Sequence, residues 1–536
     1  MKMFWFTVLL ASSALAQEED FGLEDSDPGE ELGLEEAQAP AAPVYRRSTL
    51  LKGNMDMGVS VDTRHQRAQL GAPEDFFEAW RGLRLHLTHK TAPGRTWRVG
   101  ARLRMWGSMD HPNEGGEIKS LLQTEITEMR YDYSLGQRLV LQLGLQKVDW
   151  SVTDGMGPSV MFAPRDLRFG PVGNPDDSSL PVEAVTARYT LSFRRDAHLE
   201  LAFVPLHRPA ELRLWGNDWG MVRPGQGGAL PLGDIAWLID PSVEEFWQNN
   251  LMYFTRPELK PADLSGALRL RGRYKGAELG IWGFYGFDTL PELRMDEDLI
   301  RVIGMVTTMG DAPLLETMTP ETIATLERFQ GKMMQARASG DPSILISSVF
   351  HRLAQIGAQA RRSFGSVVVA LESAWTPKFL GGRVLFDPAM KPLPGLATLH
   401  TALQVEYQSP PGLIAVLGIS DFWVADVPKQ PLMILDAGLT ARDGSLERPF
   451  AASSAHLISV NLMTKMRFKE RFDVLLLGVV HPFAGDWLAM PSLAWLLDGE
   501  RSKVAVSAEI FGGPEDSLFG MFSHNDRVTL NYKQVY

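Results

Sequence analysis

The residues of this sequence best suited to chemistry are nine arginines. Arg98, Arg102 and Arg104 recur two and four residues apart, Arg269, Arg271 and Arg273 alternate, and Arg84, Arg130 and Arg188 sit in similar polar-apolar alternations. A guanidinium presents a planar fork of donors that matches carboxylate and phosphate bidentately. On a β-strand such residues share one face, stacked at roughly 7 to 14 Å, and a wall of them concentrates anions. Acids of the same parity are fewer here: Glu128, Asp132 and Glu200. One reading makes the arginines a selectivity surface; the other makes them half of internal ion pairs with Glu128, Asp132, Glu372, Glu406 and Glu509. The two are compatible.

No enzyme signature competes with this. The eleven histidines, among them His86, His351 and His456, show no H-E-x-x-H spacing, and no G-x-S-x-G element is present. Ser454 and His456 share a strand parity, as many such pairs do by chance. The absence of cysteine removes disulfide, zinc-thiolate and cysteine-nucleophile chemistry. No cofactor, metal or catalytic residue is expected, and the charge balance argues against nucleic acid as a partner.

The elements that must position the arginines are strands. Leu139, Leu141, Leu143 and Leu145 alternate with Gln142, Gly144 and Gln146, the period-two pattern of a strand with one apolar face. Met55–Val61, Leu83–Thr88, Trp97–Met105, Glu128–Tyr133, Val185–Phe193, Leu199–Phe203 and Leu268–Arg273 repeat it. Residues 277–288 are apolar on both faces. Nine more candidates lie near residues 351–361, 367–375, 397–407, 413–422, 455–466, 474–480, 490–497, 504–511 and 527–536. Short turns at 134–137, 194–197, 275–276, 363–366, 408–412 and 498–501 alternate with long connections at 62–77, 107–116, 148–183, 206–263 and 288–342. The pattern predicts an all-β fold: a single transmembrane antiparallel β-barrel of about 18 strands with long extracellular loops.

The ends of the chain agree. Lys2, the apolar run 3–10 and Ala14-Leu15-Ala16 read as a signal peptide over 1–16. Residues 17–50 are then an acidic, disordered periplasmic segment. Residues 18–43 hold ten acids and no base. Removing those ten acids and Lys2 takes the formal charge of −12 to about −3 for the rest. The barrel is expected over 51–536. Its final strand ends Val528, Leu530, Tyr532, Gln534, Tyr536 on one parity, which resembles the signal read by the outer-membrane assembly machinery.

Two long loops have content of their own. The first holds Trp215, Trp219, Trp237 and Trp247 and is expected to fold inward or cap the mouth. In the second, Thr319 and Pro320 look like a helix start, with Ile323, Leu326, Phe329 and Met333 at helical spacing. That predicts one short amphipathic plug or lid helix, or a partner-binding one.

The run Gly144, Gln146, Val148 and Trp150, followed by Asp154, Pro164, Asp166 and Leu167, resembles the G-x-Q-x-V-x-W…D…P-x-D-L pattern of large proteobacterial outer-membrane porins, related in style to alginate-export barrels. The chain departs from it in lacking a base at Leu145 and in the long loop before His351. The resemblance implies a channel in a Gram-negative outer membrane, with an acidic polysaccharide as one passenger. Partners would be outer-membrane lipids, the barrel-assembly machinery, an anionic polysaccharide or small anion, and periplasmic export proteins. Two function classes stay open: a channel for an anionic or saccharide solute, and a plugged structural or assembly barrel that binds partners through its loops.

Overall fold

The computed structural model describes residues 47–63, 75–110, 118–153, 157–160, 164, 166, 179–191, 196–210, 264–289, 292–299, 301–302, 319–379, 383–385, 396–409, 412–425, 433–434, 454–468, 471–482, 485–498, 501–514, 519–523 and 526–536. The signal-peptide expectation, the acidic segment up to residue 46, the four loop tryptophans and Asp154 lie outside these residues; the end of the expected disordered segment is corrected, because Ser48–Leu50 already belong to the first strand.

The first half of the barrel runs β1 (Ser48–Asp62), β2 (Asp75–Ala92), β3 (Arg95–Asp110), β4 (Ile118–Leu135), β5 (Leu139–Gln146), β6 (Val182–Thr190), β7 (His198–Val204), β8 (Ser265–Tyr274) and β9 (Ala277–Phe287). Short strands β10 (Glu292–Met295) and β11 (Ile346–Val349) flank helix α1 (Pro320–Ser339). The wall resumes with β12 (Arg352–Phe364) and β13 (Val367–Phe379), then, past β14 (Arg383–Leu385), β15 (Leu396–Ser409) and β16 (Leu413–Ala425). After β17 (Met433–Ile434) come β18 (Ser454–Phe468), β19 (Phe472–His481), β20 (Asp486–Leu496), β21 (Ser502–Gly512) and β22 (Arg527–Val535).

The wall is an 18-stranded, wholly antiparallel sheet in which chain neighbours pair and β22 returns to β1, closing the ring. Each of the 18 alternating stretches read from the sequence is a barrel strand, and the barrel begins at Ser48. The seam is sealed at its rim by Tyr536 N–H donating to Gly53 O at 2.7 Å. Closure leaves no unpaired sheet edge.

Outward parity carries large apolar side chains, including Leu85, Leu103, Ile356, Leu371 and Leu493, at 36 to 65% exposure. Inward parity carries Ser60, Gln355, Gln359, Gln404, Ser459 and Asn461, all buried. A water-soluble barrel would reverse this pattern. The described helices include none long and apolar enough to cross a membrane.

Turns 93–94, 136–138, 275–276 and 365–366 and the two ends of the barrel chain share one rim, the short-turn rim. The long connections leave the other. One connection at the long-loop rim, 482–485, is as short as a turn. Three loops meet there in a second sheet: β10 pairs antiparallel with β11 and parallel with β14, which pairs with β17.

Helix α1 follows its sequence signals at both ends. Thr319 caps it by accepting from Thr322 N–H at 3.2 Å, Pro320 takes the first position, and Gly340 closes it at φ 67°. Its buried face is Thr325, Phe329, Met333 and Ala336. Ile323 was expected on that face and is 44% exposed instead. The apolar stripe is turned by about one residue, and Arg328 and Lys332 pair with Asp296 and Asp298 on the preceding segment.

Candidate functional site

The interior is organised by the segment after β5. Instead of leaving the rim, residues 147–153 lie against the inner wall, with Val148, Trp150, Val152 and Thr153 all buried. Val148 and Trp150 join an apolar cluster with Val182, Ala202, Ala267, Trp282, Phe284 and Leu353, from the inner face of β6–β9 and β12. This explains why β9 is apolar on both faces: lipid-facing side chains alternate with those under the loop.

The loop is clamped by one carboxylate. Glu372, on β13 and fully buried, accepts from Ser151 Oγ at 2.9 Å, Ser159 Oγ at 2.8 Å, Thr153 N–H at 3.2 Å and Val152 N–H. A Cβ at Gly157 would collide with this carboxylate, so only glycine lets the loop pass. β13 stands six strands round the wall from β5, so the segment bridges part of the lumen. Glu372 therefore ties down a loop, and the expectation that it pairs with an arginine is corrected: its oxygens are taken by four donors of that loop.

Arg269 holds the other side. It pairs with Glu200 (Nε to carboxylate 2.6 Å), donates to Trp150 O at 2.8 Å, and lies 4.8 Å over the Trp150 ring. A desolvated cation–π contact of this kind contributes about 2 kcal/mol.

All nine arginines have inward parity, as do Glu128 and Asp132, but they divide into two groups. Four are held by carboxylates along the wall. Arg102 pairs with Glu125 at 2.5 Å, Arg130 with Asp132 at 2.8 Å and Glu128 at 3.4 Å, Arg269 with Glu200, and Arg271 with Glu278. Arg98 shares Asp132 at 3.0 Å yet keeps 46% of its side chain in solvent. Arg84 and Arg104 take part in further polar contacts. Among the described residues, Arg188 and Arg273 are exposed and have no ion-pair partner. Glu406 faces Arg361 at 3.9 Å, and Glu509 lies near Arg527 and Glu78 rather than near any of the nine.

Sequence reasoning missed Glu125. A β-bulge at Thr127, where Gly100 faces Glu128 and Ala101 faces Ile126, reverses the parity of β4. Glu125 therefore joins Glu128 on the lumen side although the two are three positions apart. It also receives Arg208 at 3.1 Å, whose second nitrogen donates to Pro181 O, so one carboxylate ties two loop segments to the wall.

Of the motif residues, Gly144, Gln146 and Trp150 lie where the inward loop leaves β5 and packs on the wall. Gly144 has φ 122° and passes against Met129 O, where a Cβ would collide. Gln146, 1% exposed, donates to Ala184 O at 3.0 Å. Trp150 is the cluster's anchor, Pro164 O accepts from Leu180 N–H at 2.7 Å, and Asp166 is buried. Among the described residues no group of three or more His, Asp or Glu side chains is placed to hold a metal ion. The arrangement can attract, orient and sieve a charged solute.

No protein-family model and no curated protein matches the chain. Among solved structures it is similar to a Salmonella typhi OmpF complex with daunomycin (9% identity, TM-score 0.40, covering 91% of this chain and 97% of that one). It is also similar to Pseudomonas aeruginosa OccK5 (8%, TM-score 0.41, 91% and 97%) and Acinetobacter baumannii OccAB4 (10%, TM-score 0.40, 91% and 98%).

Proposed function

We propose that this protein is an outer-membrane channel that passes anionic solutes, acidic saccharides included, by electrostatic selection and without chemistry. A signal peptide over 1–16 exports it, and the last strand carries the signal for barrel assembly. The observation that carries the reading is the division of the lumen arginines: four are matched by wall carboxylates, whereas Arg188 and Arg273 are exposed without an ion-pair partner among the described residues, and Arg98 shares Asp132 with Arg130 and keeps 46% of its side chain in solvent. Basic linings raise the local concentration of anions. The apolar outer belt supports a lipid setting, with periplasmic export partners meeting the short-turn rim. Passage of an exopolysaccharide would use the same basic wall.

A second reading, a barrel closed by its own loops and serving as a scaffold, is favoured by the inner face of β19 and β20. There Leu477, Val479 and Leu488 are buried at 1% exposure or less. Planar-bilayer recording under a salt gradient separates the two. The channel reading expects a steady anion-selective conductance, and Arg98→Ala, Arg188→Ala and Arg273→Ala together should reduce its anion preference several-fold. Cation selectivity, or no effect of the triple change, refutes anion selection by this wall; silence supports the scaffold.

A further inference from the structure

The short-turn rim is basic where the chain enters the wall. On four consecutive strands, β21, β22, β1 and β2, stand Lys503, Lys533, Lys52 and Lys90, all of inward parity, with Arg47 exposed just ahead of β1. Lys503 lies directly opposite Lys533 in the ladder. Like charges placed so are unfavourable unless anions lie close by. Asp56 faces Lys533 on its other side, which leaves the arc with a surplus of positive charge.

The chain carries its own anion to this place. β1 starts at this rim, and the ten acids lie within residues 18–36, joined to β1 by the Ala/Pro-rich stretch that follows. A tether of that length, residues 37–47, reaches roughly 18 Å. Four strands spaced at about 4.8 Å make an arc about 15 Å wide. The acids are therefore held within reach of the lysines at an effective concentration in the millimolar range.

We propose that residues 18–36 dock on the basic arc Lys503–Lys533–Lys52–Lys90 as an internal polyanion that competes with solute anions at the short-turn mouth. The docking needs only the charges; its effect on flow rests on the channel reading above.

The chain has no cysteine, so two introduced thiols report on each other alone. In the full exported chain, Glu31→Cys is combined with Thr88→Cys, an inward position on β2 beside Lys90, or with Ala505→Cys on β21 as a second site. With the purified protein reduced and then given a fixed concentration of oxidised glutathione as oxidant, docking predicts rapid disulfide formation at low salt in both pairs. The rate should fall about tenfold when salt is raised to about 1 M, where the screening length is about 3 Å. It should fall comparably when Glu24, Asp25, Asp27, Glu30, Glu35 and Glu36 are changed to their amides. Rates that ignore both salt and neutralisation would show a tether sampling the rim at random and would overturn the proposal. This readout is independent of conductance. If the disulfide behaves as expected and the barrel does not conduct, docking stands and the channel reading falls.

Discussion

At the residue scale the interior depends on Glu372. A buried carboxylate without partners would be very costly, and its four donors from one loop offset that cost. Glu372→Gln keeps the shape but replaces an acceptor oxygen by an amide that donates, which meets donors already present. We expect a loss of about 2 kcal/mol in loop anchoring, the scale of a hydrogen bond to a charged group. The barrel wall should be untouched, so urea unfolding should shift little while protease cleavage within 147–160 increases. Gly157→Ala should produce the same cleavage by collision alone. An unchanged cleavage pattern in both variants would show that the clamp does not hold the loop.

The element scale separates what alternation reveals from what it hides. The strands were legible because a lipid-facing belt and a wet interior impose period two along every strand. The cap of α1 was legible because Thr319-Pro320 is local chemistry. Glu125 was hidden because one extra residue at Thr127 reverses parity without any mark in composition. The loop's destination was hidden because its partner stands 220 residues away. The turned face of α1 was hidden because it takes in Thr325 and Ala336, small residues that the spacing of large apolar side chains passes over. Arg328 and Lys332 pair with Asp298 and Asp296 and tie the helix to the preceding segment. Those pairs make the helix pH-sensitive. Burial of the Asp298 carboxyl is outweighed by Lys332 and Arg328, which hold its pKa below the usual value. Burial of Lys332 is likewise outweighed by Asp296 and Asp298, which raise its pKa. The carboxylate's contribution is thus present above its unfolded pKa of about 3.9 and lost as pH falls through the lower folded value. The lysine's is present below about 10.4 and lost as pH rises through its higher folded value. Protection of the amides of residues 320–339, taken as the slowing of exchange relative to the intrinsic rate at each pH, should be greatest on a plateau between these limits and fall on both sides. Lys332→Met should abolish the alkaline limb and weaken the acidic one; an unchanged alkaline limb would remove Lys332 from the clasp.

At the scale of the whole molecule, the assignment of inside and outside can be tested with neighbouring residues on one strand. Leu403 and Gln404 are adjacent on β15, the first pointing outward at 36% exposure and the second inward and 3% exposed. A cation on the lipid side near the middle of a bilayer costs about 2–4 kcal/mol, and less near the interfaces. Leu403 sits about midway along its strand, opposite Leu371 and Ile419, both outward-facing and apolar. Leu403→Arg should therefore reduce folding into lipid vesicles by about that amount, read as the band that resists unfolding by detergent at room temperature. Gln404→Lys places its charge on the lumen side, where Glu406 lies on the same parity two residues away, and should fold nearly as the parent does. Because a one-residue slip moves every side chain of a strand to the other face, the result reads the register of the whole wall. Equal penalties at both positions would mean the interior is sealed against water, which would support the closed scaffold. A penalty confined to Gln404→Lys would turn the barrel inside out and refute both the apolar belt as a lipid contact and the basic lumen as a path for anions.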